Sequence, residues 1–157
     1  MPLVDLADLK SILRTGDRLL GLDLGEKTIG LALSDPLLSV ATPLQTLKRR
    51  KFSANADELL ALIREHGIGG LVIGLPLNMD GSEGPAAQSA RAFARNFAQK
   101  SEAAIVLWDE RLSTAAVTRT LLEADSSRKR RAEVVDKMAA AYILQGALDR
   151  LRHMIQP

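Results

Sequence analysis

The clearest pattern of apolar and polar positions lies between Arg18 and Asp35, and it predicts a β-hairpin. Leucines in its first half form an apolar run that two glycines make too short for a buried helix, which leaves a strand. Residues 25–27 then fit a tight turn, and apolar residues alternate with small ones in a returning strand. The first strand contains one acid, Asp23, flanked by Gly21 and Gly25.

Downstream of the hairpin, short apolar runs predict strands and longer runs with helical spacing predict helices. The predicted strands are Ala41–Leu47, which Pro43 places near an edge, Leu71–Ile73 and Ala104–Trp108. The predicted helices are an N-terminal one through Leu6, Leu9, Ile12 and Leu13 that Gly16 ends, one from a capping box of Asn55 and Glu58 to Gly67, one from Pro85 through Phe97, one that Ser113 caps and that carries Val117 and Leu121, and one from about Ala132 to Leu151.

This order of elements predicts the fold class. Strands that alternate with helices after an N-terminal hairpin are typical of a three-layer α/β domain with a mixed central β-sheet flanked by helices. At 157 residues the chain is long enough for one domain with a substantial core. We therefore expect a single domain over residues 1–157, in which residues 1–16 are an amphipathic N-terminal extension.

The last predicted helix carries two stripes of apolar or small residues. One holds Asp136, an unusual residue on a stripe that it shares with Ala140, Ile143 and Ala147. Small residues at 139 and 140 would let this turn approach a sheet closely. We assign the core face to the other stripe, which consists of Val135, Met138, Ala139, Tyr142 and Gly146.

Composition narrows the classes of protein that the chain can represent. Without cysteine it has neither disulfides nor zinc–thiolate sites, which suits a reducing cytoplasm. Asp5 and Asp8 interrupt the N-terminal leucines, so this segment does not fit a signal peptide, and no apolar run approaches the length of a membrane span. We expect a cytoplasmic protein that has no membrane partner.

The charge is distributed unevenly although its sum is only +2. Lys and Arg concentrate in two short runs. Basic runs of this kind either bind phosphates or are simply solvated charges on the surface. With one Trp, one Tyr and three Phe, a platform of aromatic side chains that stacks on bases is not expected. The two runs consist of Lys48, Arg49, Arg50 and Lys51, and of Arg128, Lys129, Arg130 and Arg131.

Acidic residues from distant parts of the chain form a candidate metal site. Asp23 lies within a core strand, where a carboxylate is costly unless a partner such as a metal ion compensates its desolvation; the alternative is a strand-end acid that caps the turn. Asp109 and Glu110 end the last strand and point to opposite faces, so only one can join the site. If the helix that carries Asp136 crosses the sheet nearby, three carboxylates converge, and their mutual repulsion would raise their pKa values unless a divalent cation neutralised them.

Four segments in order carry a resemblance to a known family: GLDLG, GLPLNMDGSE, DERLST and VVDKMAA. Together they resemble the YqgF family, also called RuvX, of bacterial Holliday-junction-resolvase-like nucleases implicated in pre-16S rRNA maturation. The match runs from about Arg18 to Leu151. The resemblance implies an RNase H-like fold, a cytoplasmic location and an acidic metal site.

The resemblance also implies roles for individual residues. Asp23, Glu110 and Asp136 match the family's catalytic acids and would bind one or two Mg²⁺ or Mn²⁺ ions, with Asp109 as the alternate to Glu110. We favour Glu110, because Asp109 is well suited to hold Arg111. Arg111 and Lys137 are candidates for a phosphate contact or for balancing the acids. The implied substrate is structured RNA, such as pre-rRNA, or branched DNA.

Two other classes of function are compatible with part of the pattern. The hairpin also resembles the phosphate-binding hairpin of sugar kinases and actin, but 157 residues leave no room for the second lobe of that fold. A non-catalytic nucleic-acid-binding or transcription-associated module stays open, because retained motifs do not show turnover. Junction cleavage would favour a homodimer, whereas RNA trimming needs only a monomer.

Overall fold

A five-stranded mixed sheet forms the centre of the molecule. The computed structural model describes residues 3–112 and 128–155, and the side chains of 3–112 and 137–154. The strands lie in the order β3-β2-β1-β4-β5, with β1 antiparallel to β2 and parallel to β4. Their bounds are β1 Arg18–Leu24, β2 Thr28–Ser34, β3 Ala41–Lys48, β4 Ile68–Leu75 and β5 Ala104–Asp109.

Helices cover both faces of the sheet and complete three layers. On one face α2 and α3 pack through residues such as Leu59 and Phe97, and on the other α4 packs through Ile143 and Leu144. Because each face has its own apolar cluster, the predicted three-layer α/β architecture is confirmed. The helices are α1 Leu9–Ile12, α2 Phe52–His66, α3 Pro85–Ala98 and α4 Arg128–Ile155, with 3-10 turns at Leu6–Asp8 and Glu110–Leu112.

The predicted hairpin is present, and it brings Asp23 into the middle of the sheet. Asp23 pairs with Gly30 in the antiparallel register, and the backbone N–H of Gly25 donates to the carbonyl of Thr28 at 2.9 Å to close the turn. The third strand lies at an edge of the sheet, as Pro43 predicted. The hairpin therefore has β3 on one side and the parallel pair β4 and β5 on the other.

Two predictions about α4 are wrong. It begins at Arg128 and not near Ala132, so the second basic run lies at the start of the helix. The predicted core face is wrong as well, except at Ala139, which is buried. Ala140, Ile143 and Ala147 are fully buried, whereas Met138 and Tyr142 are only partly buried. The stripe that contains Asp136 is thus the face that packs on the sheet.

Two helix starts also differ from the sequence prediction. The N-terminal helix is only four residues long and ends at Ile12; Leu9 is fully buried, but Ile12 is 45% exposed. Helix α2 begins at Phe52, three residues before the predicted capping box, and its end at Gly67 in the left-handed conformation is as predicted. Asn55 donates to its predicted partner Glu58 at 3.0 Å and also to the carbonyl of Lys48, the last residue of β3.

The predicted helix that Ser113 would cap, with Val117 and Leu121, lies outside the described residues. Within residues 3–112 and 128–155, none of the helices combines the length and apolar character that crossing a lipid bilayer requires.

Candidate active site

Asp23 lies on the sheet face that α4 covers. Leu19 belongs to the apolar cluster beneath α4, and alternation along β1 places Gly21 and Asp23 on the same side. Only 3% of Asp23 is exposed to solvent. Since β1 ends at Leu24, this buried acid lies next to the carboxyl end of a central strand.

Glu110 reaches the same face from the end of β5. It begins the 3-10 turn that follows the strand and is 4% exposed. A β-carbon at position 74 would lie 2.9 Å from Oε2 of Glu110 and 2.5 Å from Cδ1 of Ile143, so the Glu110 carboxylate covers Gly74. The carboxylate and α4 therefore meet over the end of β4.

Strand register brings Asp23 and Glu110 together. Leu22 pairs with Ile73 in the parallel register, so the next residues, Asp23 and Gly74, are neighbours across β1 and β4. Because adjacent strands lie about 4.8 Å apart, the carboxylate over Gly74 is about one strand spacing from Asp23. Two buried carboxylates from distant parts of the chain thus lie at neighbouring positions of the sheet.

Asp109 takes a different direction and holds Arg111. Its Oδ2 accepts from Nη2 of Arg111 at 2.8 Å, and its Oδ1 accepts from the Arg111 backbone N–H at 3.0 Å. These hydrogen bonds from Arg111 lower the pKa of Asp109, and the same pairing raises the pKa of Arg111. The sequence prediction that Asp109 holds Arg111 is therefore confirmed in the structure.

Arg111 also connects the end of β5 to the turn that follows β4. Its Nη1 donates to the carbonyl of Met79 at 3.2 Å. Within that turn Ser82 donates from its backbone N–H and its hydroxyl to Oδ1 of Asp80, and these hydrogen bonds lower the pKa of Asp80. The two loops beside Glu110 are thus held to each other by one guanidinium.

The direction of α4 places the backbone of Asp136 at the acidic end of the sheet, the end where Asp23 and Glu110 lie. Gln145 accepts from the N–H of Ala41 at 2.8 Å, near the start of β1, whereas Ala140 lies against Gly21 in the middle of the strand. Going back from Ala140 to Asp136 covers about 6 Å of helix. Going from Gly21 to Asp23 covers about 7 Å of strand in the same direction. The Asp136 side chain itself is outside the described part.

The two described carboxylates fit a divalent cation. Both supply oxygen atoms, the ligands that Mg²⁺ and Mn²⁺ prefer, and the missing β-carbon of Gly74 leaves room for one of them. Among the described side chains, His, Asp and Glu residues do not gather in threes as a metal centre. Asp23 and Glu110 are a pair there, and the third predicted ligand is Asp136.

The model of the RuvX family, described as Holliday junction resolvase, matches residues 17–150. The chain belongs to the RuvX family. Nuclease activity, the hydrolysis of ester bonds, is the activity that this membership assigns. The resemblance that the sequence motifs carried is confirmed.

Relatives of this RuvX member are close along nearly their whole length. A protein of Paramagnetospirillum magneticum (strain ATCC 700264 / AMB-1), named as a candidate pre-16S rRNA nuclease, is 64% identical over 149 residues, which cover 95% of this chain and 96% of the relative. A protein of the same name from Ruegeria pomeroyi is 62% identical over 136 residues, or 87% of this chain and 88% of the relative.

The fold is similar to that of RuvC from Thermus thermophilus. The structure of RuvC in complex with a Holliday junction substrate superposes with a TM-score of 0.54 at 11% sequence identity. The similar region covers 87% of this chain and 96% of that chain. This likeness confirms the predicted RNase H-like fold.

The two basic runs of this RuvX member differ in what the structure describes. Lys48, Arg50 and Lys51 are exposed, while Arg49 is half-buried and donates from Nη1 to the carbonyl of Gly25 at 2.7 Å. Burial lowers the pKa of Arg49. The first run thus lies beside the turn that follows Asp23, a position that the sequence left open. The side chains at 128–131 are outside the described part, and Lys137 is partly buried.

Sequence reasoning missed three residues that shape this site. Gly74 lies just after the predicted strand Leu71–Ile73, and nothing in the sequence indicates that Glu110 packs over it. Asn55 read as a helix cap, although its Oδ1 accepts from the N–H of Arg50 at 2.8 Å and holds the basic run. Arg49 was one of four similar cations. Gly74, directly after an apolar run, was the only local sequence signal for these three residues. The contacts of Asn55 and Arg49 join separate elements, which a local pattern does not show.

Proposed function

We propose that this RuvX member is a metal-dependent endonuclease that cleaves structured RNA in the cytoplasm, and that it acts in 5′-end maturation of pre-16S rRNA. The observation that carries the proposal is the burial of two carboxylates on neighbouring strands, with Glu110 packed over Gly74 and Asp23 beside Gly74 in the register of β1 and β4. Burying two acids side by side is unfavourable without a cation, and phosphodiester hydrolysis by this class of fold uses one. The names of the relatives support the choice of pre-16S rRNA.

Asp23, Glu110 and Asp136 are the proposed metal ligands and catalytic acids. One or two Mg²⁺ or Mn²⁺ ions, when bound, supply positive charge that stabilises the attacking and leaving oxygens and activates a water. Asp23 lies on the central strand β1 and would be the bridging ligand. Glu110 approaches over Gly74 from the end of β5, and the backbone of Asp136 lies on α4 one turn before the contact of Ala140 with Gly21.

The pair formed by Asp109 and Arg111 neutralises an acid next to the proposed ligand Glu110. Asp109 accepts three side-chain hydrogen bonds from Arg111, which keeps this acid turned away from Glu110. Arg111 is exposed and lies at the end of β5, so it can also meet a phosphate of the substrate. Lys137, next to Asp136 on α4, is the second proposed phosphate contact.

Substrate backbone is proposed to lie across the acidic end between the two basic runs. Lys48, Arg50 and Lys51 are exposed beside the turn of the Asp23 hairpin. Arg128, Lys129, Arg130 and Arg131 begin α4, the helix that carries Asp136. Binding through phosphates fits a surface that holds RNA by its backbone and shape.

Cleavage of four-way DNA junctions is the second candidate, favoured by the description of the matching family model. Two symmetric cuts would need a homodimer with two sites related by a two-fold axis, whereas RNA cleavage needs one site and a monomer.

The deciding experiment compares structured precursor rRNA with four-way DNA junctions at equal concentration, with Mg²⁺, with Mn²⁺ and with chelator. Metal-dependent cleavage of the rRNA at a discrete 5′ position is the expected result. Preferential cleavage of the junction by a dimer would replace RNA with branched DNA as the substrate. Tight RNA binding with no cleavage under any metal would leave a non-catalytic binding module and refute the proposal.

A further inference from the structure

Arg49 is held in place by contacts with two separate elements. Nη1 donates to the carbonyl of Gly25 at 2.7 Å, and Nη2 donates to Oγ of Ser89 on α3 at 3.3 Å. The guanidinium carbon lies 5.9 Å from the centre of the Phe93 ring, also on α3. Its own backbone N–H donates to the carbonyl of Lys27 at 2.8 Å. One residue thus touches the turn of the Asp23 hairpin twice and α3 twice.

The backbone on either side of Arg49 is fixed as well. Asn55 is 1% exposed, accepts from the N–H of Arg50 at 2.8 Å and donates to the carbonyl of Lys48 at 3.0 Å. Because α2 carries Asn55, the base of the Arg49 side chain is attached to a helix and its tip to a turn. The Arg49 side chain therefore fixes the position of the turn relative to the helix.

The described partners of Arg49 are a carbonyl, a hydroxyl and an aromatic ring, all uncharged. A guanidinium can serve them together because its donors form a planar fork. Lysine keeps the charge but lacks the planar fork, so its one nitrogen does not reproduce the two separate donor positions of Nη1 and Nη2. This difference separates a geometric role from a purely electrostatic one.

We propose that Arg49 is a positioning residue for Asp23, and not one of the phosphate-binding cations of the first basic run. Gly25, whose carbonyl Arg49 holds, is two residues beyond Asp23, and the turn it begins is closed by its own N–H to Thr28. Tying this turn to α3 fixes the end of β1 and so the direction of the Asp23 carboxylate. The inference rests on the proposed function in that Asp23 is taken as a metal ligand.

Three variants test the proposal. Arg49→Lys keeps the charge and loses the fork, Arg49→Gln loses both, and Arg50→Ala is the matched control at an exposed neighbour. We expect faster amide hydrogen exchange at Gly25 in the metal-free protein for both Arg49 variants, and divalent-metal affinity at least about tenfold weaker by calorimetry, as for other residues that orient metal ligands. Their kcat should fall while KM changes little.

In the salt dependence of RNA affinity we expect the reverse: Arg50→Ala should change it and the Arg49 variants should not. Loss of one phosphate contact lowers the slope of log affinity against log salt by about one unit. We expect that change for Arg50→Ala, with metal affinity and Gly25 exchange unchanged, and the wild-type slope for Arg49→Gln. If Arg49→Lys behaves as wild type and Arg49→Gln loses a unit of slope, Arg49 is a phosphate contact and the proposal is overturned.

A milder variant covers the case in which the Arg49 variants unfold. Ser89→Ala removes only the acceptor on α3. It should change Gly25 exchange and metal affinity in the same direction as the Arg49 variants, but by a smaller amount. No change in either quantity overturns the positioning role of Arg49. Failure of the wild-type protein to bind metal at all would overturn the proposed function. Normal wild-type binding that Arg49→Lys leaves unchanged would overturn the positioning role alone.

Discussion

The carboxylate of Glu110 lies over Gly74, where a β-carbon would come within 2.9 Å of Oε2 and 2.5 Å of Cδ1 of Ile143. A side chain larger than hydrogen therefore fits there only if the ends of the Glu110 and Ile143 side chains shift. The identity of residue 74 and the position of Glu110 are thus one structural requirement.

We expect Gly74→Ala to reduce cleavage by displacing Glu110, and to lower the free energy of unfolding by about 1–3 kcal/mol, the usual cost of overpacking a core. Gly84→Ala is the control, because the nearest atom to its added β-carbon is Nδ2 of Asn78 at 4.0 Å. Urea unfolding and initial cleavage rates measure both effects. Full activity in Gly74→Ala would show that Glu110 is not needed where it lies.

Asp23→Asn should abolish cleavage and leave the fold intact, because it removes a proposed metal ligand together with repulsion between acids. The wild-type protein should melt at a higher temperature with Mg²⁺ or Mn²⁺, since the cation binds only the folded chain, and Asp23→Asn should lose this rise. Activity above about a tenth of wild type would contradict a contribution of more than about 1.4 kcal/mol to the transition state.

Glu110→Gln and Asp109→Asn should have different effects. The first should reduce cleavage as Asp23→Asn does, because it removes a proposed ligand. The second should act mainly on Arg111, loosening its grip on the Met79 carbonyl, and should cost far less activity. Rates measured under saturating Mg²⁺ compare the two. The reverse order would make Asp109 the ligand.

Neutralising Arg128, Lys129 and Arg130 together should weaken RNA binding for all sequences alike and leave metal binding unchanged. The slope of log affinity against log salt should fall by about one unit for each lost phosphate contact. Affinities for one structured RNA across a salt series give this slope. A triple variant with the wild-type slope would identify the run as a solvated group of charges.

Asp35 should make the stability of the β2–β3 turn depend on pH. The N–H groups of Val40 and Ser39 and the Ser39 hydroxyl donate to its carboxylate, and the first of these does most to lower the pKa of Asp35 from 3.8 to about 2. A lowered pKa means stability that is present above about pH 4 and lost as the pH falls through about 2.

Asp35→Asn should therefore lower the free energy of unfolding near neutral pH by about 1 kcal/mol, because hydrogen bonds to an ionised carboxylate are stronger than those to an amide and solvent screens part of the difference. The difference from wild type should shrink as the pH approaches 2. Urea unfolding of both proteins at several pH values measures it. A difference that stays constant from pH 6 to pH 2 would refute the role of the ionised carboxylate.

Local patterns predicted the elements that local physics determines. Alternation along Arg18–Asp35 predicted the hairpin, and Pro85 with its apolar face predicted α3, because both depend on neighbours in the chain. The core face of α4 could not be chosen in this way. Both of its stripes are apolar or small, and the choice depends on the close approach to Gly21, a contact between distant segments.

The acids of the candidate site could be proposed from chemistry, since a carboxylate within an apolar strand or stripe is unusual. Their neighbours could not. Gly74 matters only because Glu110 packs over it, and Arg49 differs from the adjacent cations only because Gly25 and Ser89 lie within reach. Such roles arise from register and packing, which a single sequence does not specify.

At Gly21 the main chain of α4 rests on the main chain of β1. A β-carbon there would lie 2.9 Å from the carbonyl oxygen of Ala140 and 2.8 Å from Cβ of Leu144. Two backbones in contact cannot separate by a change of rotamer, whereas the opposite layer meets the sheet through flexible side chains and the rings of Phe93 and Phe97. We expect thermal expansion to be taken up mainly on the α2 and α3 side, so that the spacing between β1 and α4 stays constant until the domain melts as a whole.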